Sequence, residues 1–248
     1  MALFLLALLP RLYSAQTLGW DWDAPGSFTL VNFDEGGSCR AYLKGFPYST
    51  FIGRQTTAIA DLLGVGPDRD IVGDARAVKS YCHSPAHILI ARSYSAVAGA
   101  LTVVMIAVLG LLLVPGRPAV AWTAGSLLAL SGFHISESHS GTVDAPSVFF
   151  IYAFLALMVF GLVRQSARGL WLSPLLLLPA IWTKYWVFAP CAYVALVRGR
   201  VWAFVGRGMS ARRLLAVLAG TILLAALFTN SEFQQAQLYP LGALYYLL

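Results

Sequence analysis

The stretch that decides the fold covers residues 88–114 and reads ILIARSYSAVAGALTVVMIAVLGLLLV, with Arg92 as its only charged residue. A helix needs about 20 apolar residues to cross the hydrocarbon core of a bilayer, so this stretch predicts a membrane-spanning helix. The whole chain of 248 residues has the same character, since 58% of its residues are hydrophobic and only 11% are charged. This composition argues against a soluble globular enzyme and against an intrinsically disordered chain.

Five further apolar runs extend the pattern. Four of them predict ordinary spans, at residues 1–18, 119–135, 146–163 and 214–228. The fifth, residues 170–197, has Lys184 in its middle and fits either one tilted span or two short helices that meet at the far surface. Residues 1–18 lack the basic start of a signal peptide, so we expect an uncleaved first span in which Arg11 snorkels near the outer end.

The placement of charges selects one arrangement. If the amino terminus is cytoplasmic, all 11 acidic residues fall in outer segments, namely residues 19–86, residues 136–145 and the part after Thr229. The charged residues of the inner loops are then arginines: Arg117, Arg164, Arg168, Arg198, Arg200, Arg207, Arg212 and Arg213. This positive-inside pattern requires residues 170–197 to form a hairpin with Lys184 near its outer tip. We therefore predict an all-α, polytopic transmembrane protein with about seven membrane-crossing segments, forming one module over residues 1–248.

The net charge and the spacing of the cysteines argue against three kinds of function: nucleic-acid binding, zinc binding and redox chemistry. The formal net charge of +6 does not indicate nucleic acid, because the basic residues are not clustered with aromatic residues on a polar domain. Cys39, Cys82 and Cys191 lie far apart without CxxC spacing, which argues against a zinc site or a redox motif. The sequence alone does not decide whether Cys39 and Cys82 form a disulfide.

The first outer loop, residues 19–86, is too small and too interrupted for an independent soluble domain. Residues 36–45 and 49–63 mix apolar and polar positions at helical spacing, which predicts two short interfacial helices. Asp34 and Glu35 would then stand at a helix start, where the helix dipole and free amides favour acidic side chains. Alternatively, the two carboxylates accept a proton from an acceptor hydroxyl or amine, or hold a divalent ion.

The second outer segment, residues 134–146, is unusually dense in polar groups. It fits a hydrated turn in which Asp144 caps the next helix, and the Asp-Ala-Pro order suits a first turn. His134, Glu137 and His139 could instead ligate a metal, although their spacing matches no standard motif. Two cations at the outer leaflet, Arg92 and Lys184, either snorkel to the interface or form a phosphate site beside the carboxylates.

Four elements of the sequence are similar to one known family. They are Phe33-Asp34-Glu35 after a first span containing Pro10-Arg11-Leu12-Tyr13, the stretch ARSYSAVAGALT at residues 91–102, the stretch HSGTVDA at residues 139–145, and Trp182-Thr183-Lys184-Tyr185. In order and spacing they resemble the GT-C membrane glycosyltransferases of the family 39 type, which include protein O-mannosyltransferases and the lipid A aminoarabinose transferase. The resemblance covers nearly the whole chain but only the amino-terminal catalytic module, so we expect the carboxyl-terminal part of the family to be absent.

The resemblance implies transfer of a sugar from a polyprenyl-phosphate carrier to a protein or a lipid or glycan acceptor, with inversion, on the extracytoplasmic face. Asp34 would be the catalytic base and Glu35 would orient it. Arg92 or Lys184 would neutralise the leaving phosphate of the donor, and Asp144 and His139 would contact substrate. Some family members need a divalent metal ion and others do not, and the pattern does not choose between them. A bacterial inner membrane is favoured over the endoplasmic reticulum.

Two other classes of function fit a polytopic chain. A transporter or flippase would also have charges within the membrane and broken helices, but here the polar residues gather in outer loops and no inverted repeat is visible. A non-catalytic, truncated membrane scaffold, whose loops bind a partner, is the other alternative.

Overall fold

The computed structural model describes residues 1–19, 28–32, 34–45 and 49–184, and 79% of these residues are helical with no strand among them. The all-α prediction is therefore confirmed for the described part. The helices are α1 (Ala2–Thr17), α2 (Gly37–Lys44), α3 (Thr50–Leu62), α4 (Ala75–Cys82), α5 (Pro85–Leu113), α6 (Pro118–Ala129), α7 (Gly132–His139), α8 (Asp144–Val163), α9 (Ala167–Leu172) and α10 (Leu177–Thr183).

Two helices, α5 and α8, are long and apolar enough to cross a membrane. They match the predicted spans at residues 88–114 and 146–163. The predicted span at residues 119–135 is divided into α6 and α7, which meet at an angle of 59° and can be counted as one broken span. The described residues thus contain two helices, or three if the broken pair counts as one, that are long and apolar enough to cross a membrane. Helix α1, over the predicted span at residues 1–18, is not among them, and the predicted total of seven is not confirmed. The run at residues 214–228 lies outside the described part.

The break between α6 and α7 is stabilised by Arg11, which is completely buried inside the bundle. Its guanidinium donates to the carbonyl of Ala129 at 3.1 Å and to that of Leu128 at 3.4 Å, and its Nη2 lies 2.6 Å from Nδ1 of His134. The two carbonyls belong to the last turn of α6, whose acceptors have no partner within the helix. The expectation that Arg11 snorkels at the outer end is therefore wrong, because these carbonyls bind it in the interior.

Helix α5 is central, and it packs against α1, α6 and α8 through small residues. Ala7, Ala100, Val103 and Ala129 form one buried cluster where α1, α5 and α6 meet. At Gly99 a methyl group would lie 2.3 Å from Oγ of Ser138 in α7, so only glycine allows this approach. Close contact through small side chains is the usual way in which helices associate inside a bilayer.

The outer loop contains both of its predicted short helices, as α2 and α3. A disulfide joins Cys39 in α2 to Cys82 at the end of α4, with 5.7 Å between their Cα atoms. Cys39 and Cys82 therefore form the disulfide that the sequence alone did not decide. Together with the buried side chain of Val78 it makes a small core that holds α2 against α4.

The segment from α9 to α10 runs back along α8. Gly161, near the end of α8, packs directly on Leu170, since a methyl group at Gly161 would lie 2.7 Å from the backbone nitrogen of Leu170. After a 3-10 turn at Ser173–Leu176 and helix α10, Lys184 reaches Asp144 at the start of α8. Lys184 therefore lies at the end of the bundle where α8 begins, but the predicted hairpin with Lys184 near its outer tip stays a prediction. The second limb lies outside the described residues.

Candidate functional site

The sequence-predicted site residues gather at one end of the helix bundle. Asp34 and Glu35 form the turn before α2, and Glu35 contacts Arg92 near the start of α5. The other three residues belong to neighbouring elements at the same end: His139 ends α7, Asp144 begins α8 and Lys184 follows α10. Within this end the residues divide into a closed pair, Glu35 with Arg92, and an open cluster, Asp34 with Asp144 and Lys184.

The closed pair is a buried, two-pronged ion pair. Arg92 donates from Nε to Oε1 of Glu35 at 2.7 Å and from Nη2 to Oε2 at 2.8 Å, and both side chains have 0% exposure. Parallel hydrogen bonds of this kind fix the orientation of both groups as well as their distance. The pair thereby fastens the turn before α2 to the central helix α5.

Backbone groups complete the closed pair. Glu35 accepts further hydrogen bonds from the amides of Gly141 and Val31, each at 3.0 Å, and Arg92 donates from Nη1 to the carbonyl of Leu18 at 2.5 Å. Burial alone would raise the pKa of the Glu35 carboxyl, but the hydrogen bonds from Arg92, Gly141 and Val31 bring it below its ordinary value. Glu35 is therefore held as a carboxylate.

Asp34 takes no part in the hydrogen bonds between Glu35 and Arg92, and its side chain is half-buried. Its backbone amide donates to Oδ1 of Asn32 at 2.9 Å, which shapes the turn. Burial and the nearby carboxylate of Asp144 raise the pKa of Asp34, and Lys184 opposes this rise. The capping interpretation of the acidic pair is wrong, because α2 has Gly36 at its N-cap and no acidic residue in its first turn.

Asp144 and Lys184 form the other half of the open cluster. Nζ of Lys184 donates to Oδ1 of Asp144, and the two side chains are 44% and 30% exposed. Asp144 is the first residue of α8 and its side chain does not cap the helix, whose N-cap is Val143. The capping interpretation of Asp144 is therefore also wrong. An exposed ion pair of this type is weak and can exchange its partner for a ligand.

The histidines of the second outer segment are bound to α1. Nδ1 of His139 lies 3.0 Å from Oγ of Ser14, and Nδ1 of His134 faces Arg11. Across the part of the chain that the structure describes, no three His, Cys, Asp or Glu side chains are arranged to hold a metal ion. The metal-site alternative for His134, Glu137 and His139 is thus not supported.

Several groups that build the site are backbone atoms or glycines, which sequence reasoning missed. Gly36 adopts φ +77°, and a methyl group there would lie 2.6 Å from the carbonyl oxygen of Cys82 and 2.7 Å from the ring of His83. Only glycine therefore lets the turn lie against the α4–α5 junction. The Gly141 amide is another such group, and the only sequence signal for it was that Gly141 lies within the dense polar segment at residues 134–146.

Comparisons of the chain with models of known protein families, with curated proteins and with solved structures found no match. A functional assignment therefore has to come from the geometry of the site and from the four sequence elements that carry the resemblance.

Proposed function

We propose that the chain is a membrane glycosyltransferase that moves a sugar from a polyprenyl-phosphate carrier to a protein or a lipid or glycan acceptor. The observation that carries the proposal is the open cluster. It combines a half-buried carboxylate of raised pKa, Asp34, with a second carboxylate, Asp144, and an exposed cation, Lys184. A base beside a phosphate-binding cation is what a single displacement at a sugar phosphate requires.

In the proposed reaction Asp34 removes the proton from the acceptor hydroxyl. The acceptor oxygen attacks the anomeric carbon while the bond from that carbon to the phosphate oxygen breaks, so the configuration at the carbon inverts. Polyprenyl phosphate leaves with the bonding electrons, and Lys184 neutralises its new charge. Asp144 holds Lys184 before the donor binds and contacts the sugar or acceptor afterwards.

Arg92 and Glu35 have a positioning role in this scheme. Because the guanidinium of Arg92 is fully buried and faces Glu35 and Leu18, it would have to leave the closed pair in order to bind a phosphate. Lys184 is exposed and needs no such rearrangement, so we assign it the donor phosphate. Glu35 orients Asp34 by holding the turn that carries both residues. His139, which the resemblance assigns to substrate, stays a secondary candidate.

One feature of the fold supports an extracytoplasmic reaction, and a second supports a lipid-linked donor. The site lies at the end of the bundle that also carries the Cys39–Cys82 disulfide, and disulfides persist in oxidising compartments. A cleft of about 610 Å³ between α5, α6 and α8, lined by apolar side chains such as Ile106, Leu127 and Val148, offers apolar surroundings for a hydrocarbon chain. We favour a bacterial inner membrane over the endoplasmic reticulum, with membrane lipids around the bundle.

The test measures consumption of radiolabelled polyprenyl-phosphate sugars by membranes that contain the whole chain. Asp34→Asn should lower transfer by about 10²- to 10⁴-fold, the contribution of a positioned base, while membrane insertion is unchanged. Asp70→Asn is the matched control, because Asp70 is an exposed carboxylate of the same outer loop. A parallel series with a chelator shows whether a divalent ion takes part. Equal activity of Asp34→Asn and the wild-type chain would remove Asp34 as the base.

A second candidate function, a transporter or flippase, is favoured by one observation. The broken pair α6–α7 and the buried Arg11 are features that transporters use at their substrate sites. In the same membranes a transporter would move the labelled lipid between leaflets without releasing its sugar. Neither release nor movement of any donor would favour a non-catalytic scaffold.

A further inference from the structure

One aromatic side chain of the outer loop, Phe51, contacts the two helices next to Asp144 and Lys184 of the open cluster, α8 and α10. Its ring centroid lies 5.6 Å from that of Trp182 in α10 and 6.0 Å from that of Phe150 in α8, the latter in an edge-to-face arrangement. Both distances fall within the range of favourable aromatic pairs. Oγ of Ser49, just before α3, also donates to the carbonyl of Trp182. The start of α3 therefore lies across α8 and α10.

Phe51 is attached to the Asp34 side of the site through α2. Oγ of Ser38 donates to the carbonyl of Ser49 at 2.5 Å and accepts from the amide of Gly53 at 2.7 Å. A methyl group at Gly53 would lie 2.0 Å from the carbonyl oxygen of Ser38, so α2 and α3 pack with their backbones in contact. The turn with Asp34, helix α2 and the start of α3 therefore form one connected unit.

Lys184 itself has few contacts that could keep it in place, which makes the contact of Phe51 with Trp182 important. Helix α10 has only seven residues and Lys184 follows it in extended conformation, while the ion pair to Asp144 is exposed and weak. Neither the helix nor the ion pair is strong enough to fix the ammonium group. Trp182, two residues earlier, contacts the ring of Phe51 and accepts a hydrogen bond from Ser49 at its carbonyl, so these two residues are tied to the segment that carries Lys184.

We propose that Phe51 is a positioning residue that holds Lys184 beside Asp34 and Asp144. The inference rests on the proposed function, in which Lys184 neutralises the leaving phosphate. Because that charge develops only in the transition state, loss of Phe51 should lower kcat more than it raises KM for the donor. A side chain that merely filled space would instead change the amount of folded protein and leave both constants of the folded fraction unchanged.

The first readout is independent of catalysis. A membrane-impermeant, amine-reactive reagent is applied to the whole chain in membranes, and labelling of Lys184 is followed by mass spectrometry. Phe51→Leu removes the ring but keeps an apolar side chain, and it should raise the labelling rate of Lys184 about three- to tenfold, which corresponds to the loss of the Phe51–Trp182 pair that holds the segment of Lys184. Lys79 in α4 serves as an internal control and should react at an unchanged rate.

The second readout is the steady-state kinetics of sugar transfer. Phe51→Leu should lower kcat about tenfold, within the loss that a displacement of about 1 Å can cause. Phe51→Tyr keeps the ring and should restore both kcat and the slow labelling of Lys184. Phe149→Leu is the matched control, because it removes the Phe149–Phe150 contact and leaves both contacts of Phe51 in place. It should behave like the wild-type chain.

The outcomes separate the two proposals. Unchanged labelling of Lys184 in a folded Phe51→Leu variant overturns the positioning role, whether or not the chain transfers sugar. Faster labelling together with absent transfer in the wild-type chain supports the placement of Lys184 by Phe51 and contradicts the proposed function. If Phe51→Leu fails to insert, the same labelling comparison is made with Ser49→Ala, which removes the hydrogen bond to Trp182 and should also speed labelling; an unchanged rate there overturns the proposal.

Discussion

Asp34 and Glu35 are adjacent in the chain, yet they belong to regions of opposite character. Glu35 is fully buried, receives four hydrogen bonds and has a lowered pKa. Asp34 is half-buried, lies near Asp144 and Lys184, and has a raised pKa. One carboxylate is therefore fixed in its charged form by the protein, and the other is left able to exchange a proton. Under the proposed function, the two adjacent residues therefore have different roles: Glu35 holds the site in place and Asp34 reacts in it.

Removing the charges of Glu35 and Arg92 from water costs free energy, so the closed pair needs an explanation other than stability. Replacing a buried ion pair by well-packed apolar side chains is often neutral or stabilising, so the pair is not retained for stability alone. Its partners come from four separate places: α5, Val31, Gly141 and the residue after α1. The buried ion pair, through Glu35 and Arg92 together, thus aligns these segments around the open cluster. We interpret geometry, not stability, as its contribution.

The largest effect is expected from breaking the closed pair on one side. Glu35→Gln leaves the Arg92 charge buried without its carboxylate, and this should lower the free energy of unfolding by about 3 to 5 kcal/mol. The measurement is denaturant or thermal unfolding of the purified chain in detergent. Glu137→Gln, the same change in α7, should stay within about 0.5 kcal/mol of the wild-type chain. Equal stabilities of the two variants would contradict the holding role of Glu35.

A smaller effect is expected at the glycine that follows the acidic pair. Gly36→Ala should destabilise by about 1 to 2 kcal/mol for the left-handed backbone alone, and further because the methyl group meets the carbonyl of Cys82. Gly45→Ala is the matched control, since Gly45 has φ +65° but none of the described residues lies within 4 Å of a methyl group added there. The difference between the two unfolding free energies isolates the contact of the turn with the α4–α5 junction. No difference would mean that this contact is dispensable.

The smallest effect is a separation of two transitions on acidification. Because the pKa of Asp34 is raised, the base is lost as the pH falls through a value above the ordinary 3.8 of an aspartate. The pKa of Glu35 is lowered, so its contribution to stability is complete above the ordinary 4.5 and is lost only as the pH falls through a value below it. Transfer activity should therefore disappear at a higher pH than the fold. Parallel pH profiles of transfer and of unfolding check this, and coincident midpoints would argue against the division of roles.

The pH at which transfer activity is lost on acidification, here called the acid limb of the pH profile, tests the environment of Asp34 further. Asp144→Asn removes a charge that raises the pKa of Asp34, so the residual activity should extend to lower pH. Lys184→Gln removes a charge that lowers this pKa, so the limb should move to higher pH. Shifts in the same direction for both variants would contradict the electrostatic coupling of the open cluster.

The parts of the fold that the sequence predicts are those that depend on local pattern. Continuous apolar runs predict α5 and α8, and helical spacing predicts α2 and α3. The break between α6 and α7 was not predictable, because it is stabilised by Arg11, which is distant in sequence. The same applies to the site. Because the acidic residues all fall in outer segments, the sequence predicts that the site residues lie at one end of the bundle. It does not predict that Arg92 pairs with Glu35, 57 residues away, because that pairing depends on tertiary packing.

The most direct test of the division of roles compares Asp34→Asn with Glu35→Gln in one experiment that measures both sugar transfer and unfolding. We predict that Asp34→Asn keeps the stability of the wild-type chain and loses transfer by at least about 10²-fold. We predict that Glu35→Gln loses stability first, and loses transfer as a consequence. The reverse result, a stable but inactive Glu35→Gln together with an unstable Asp34→Asn, would contradict the account.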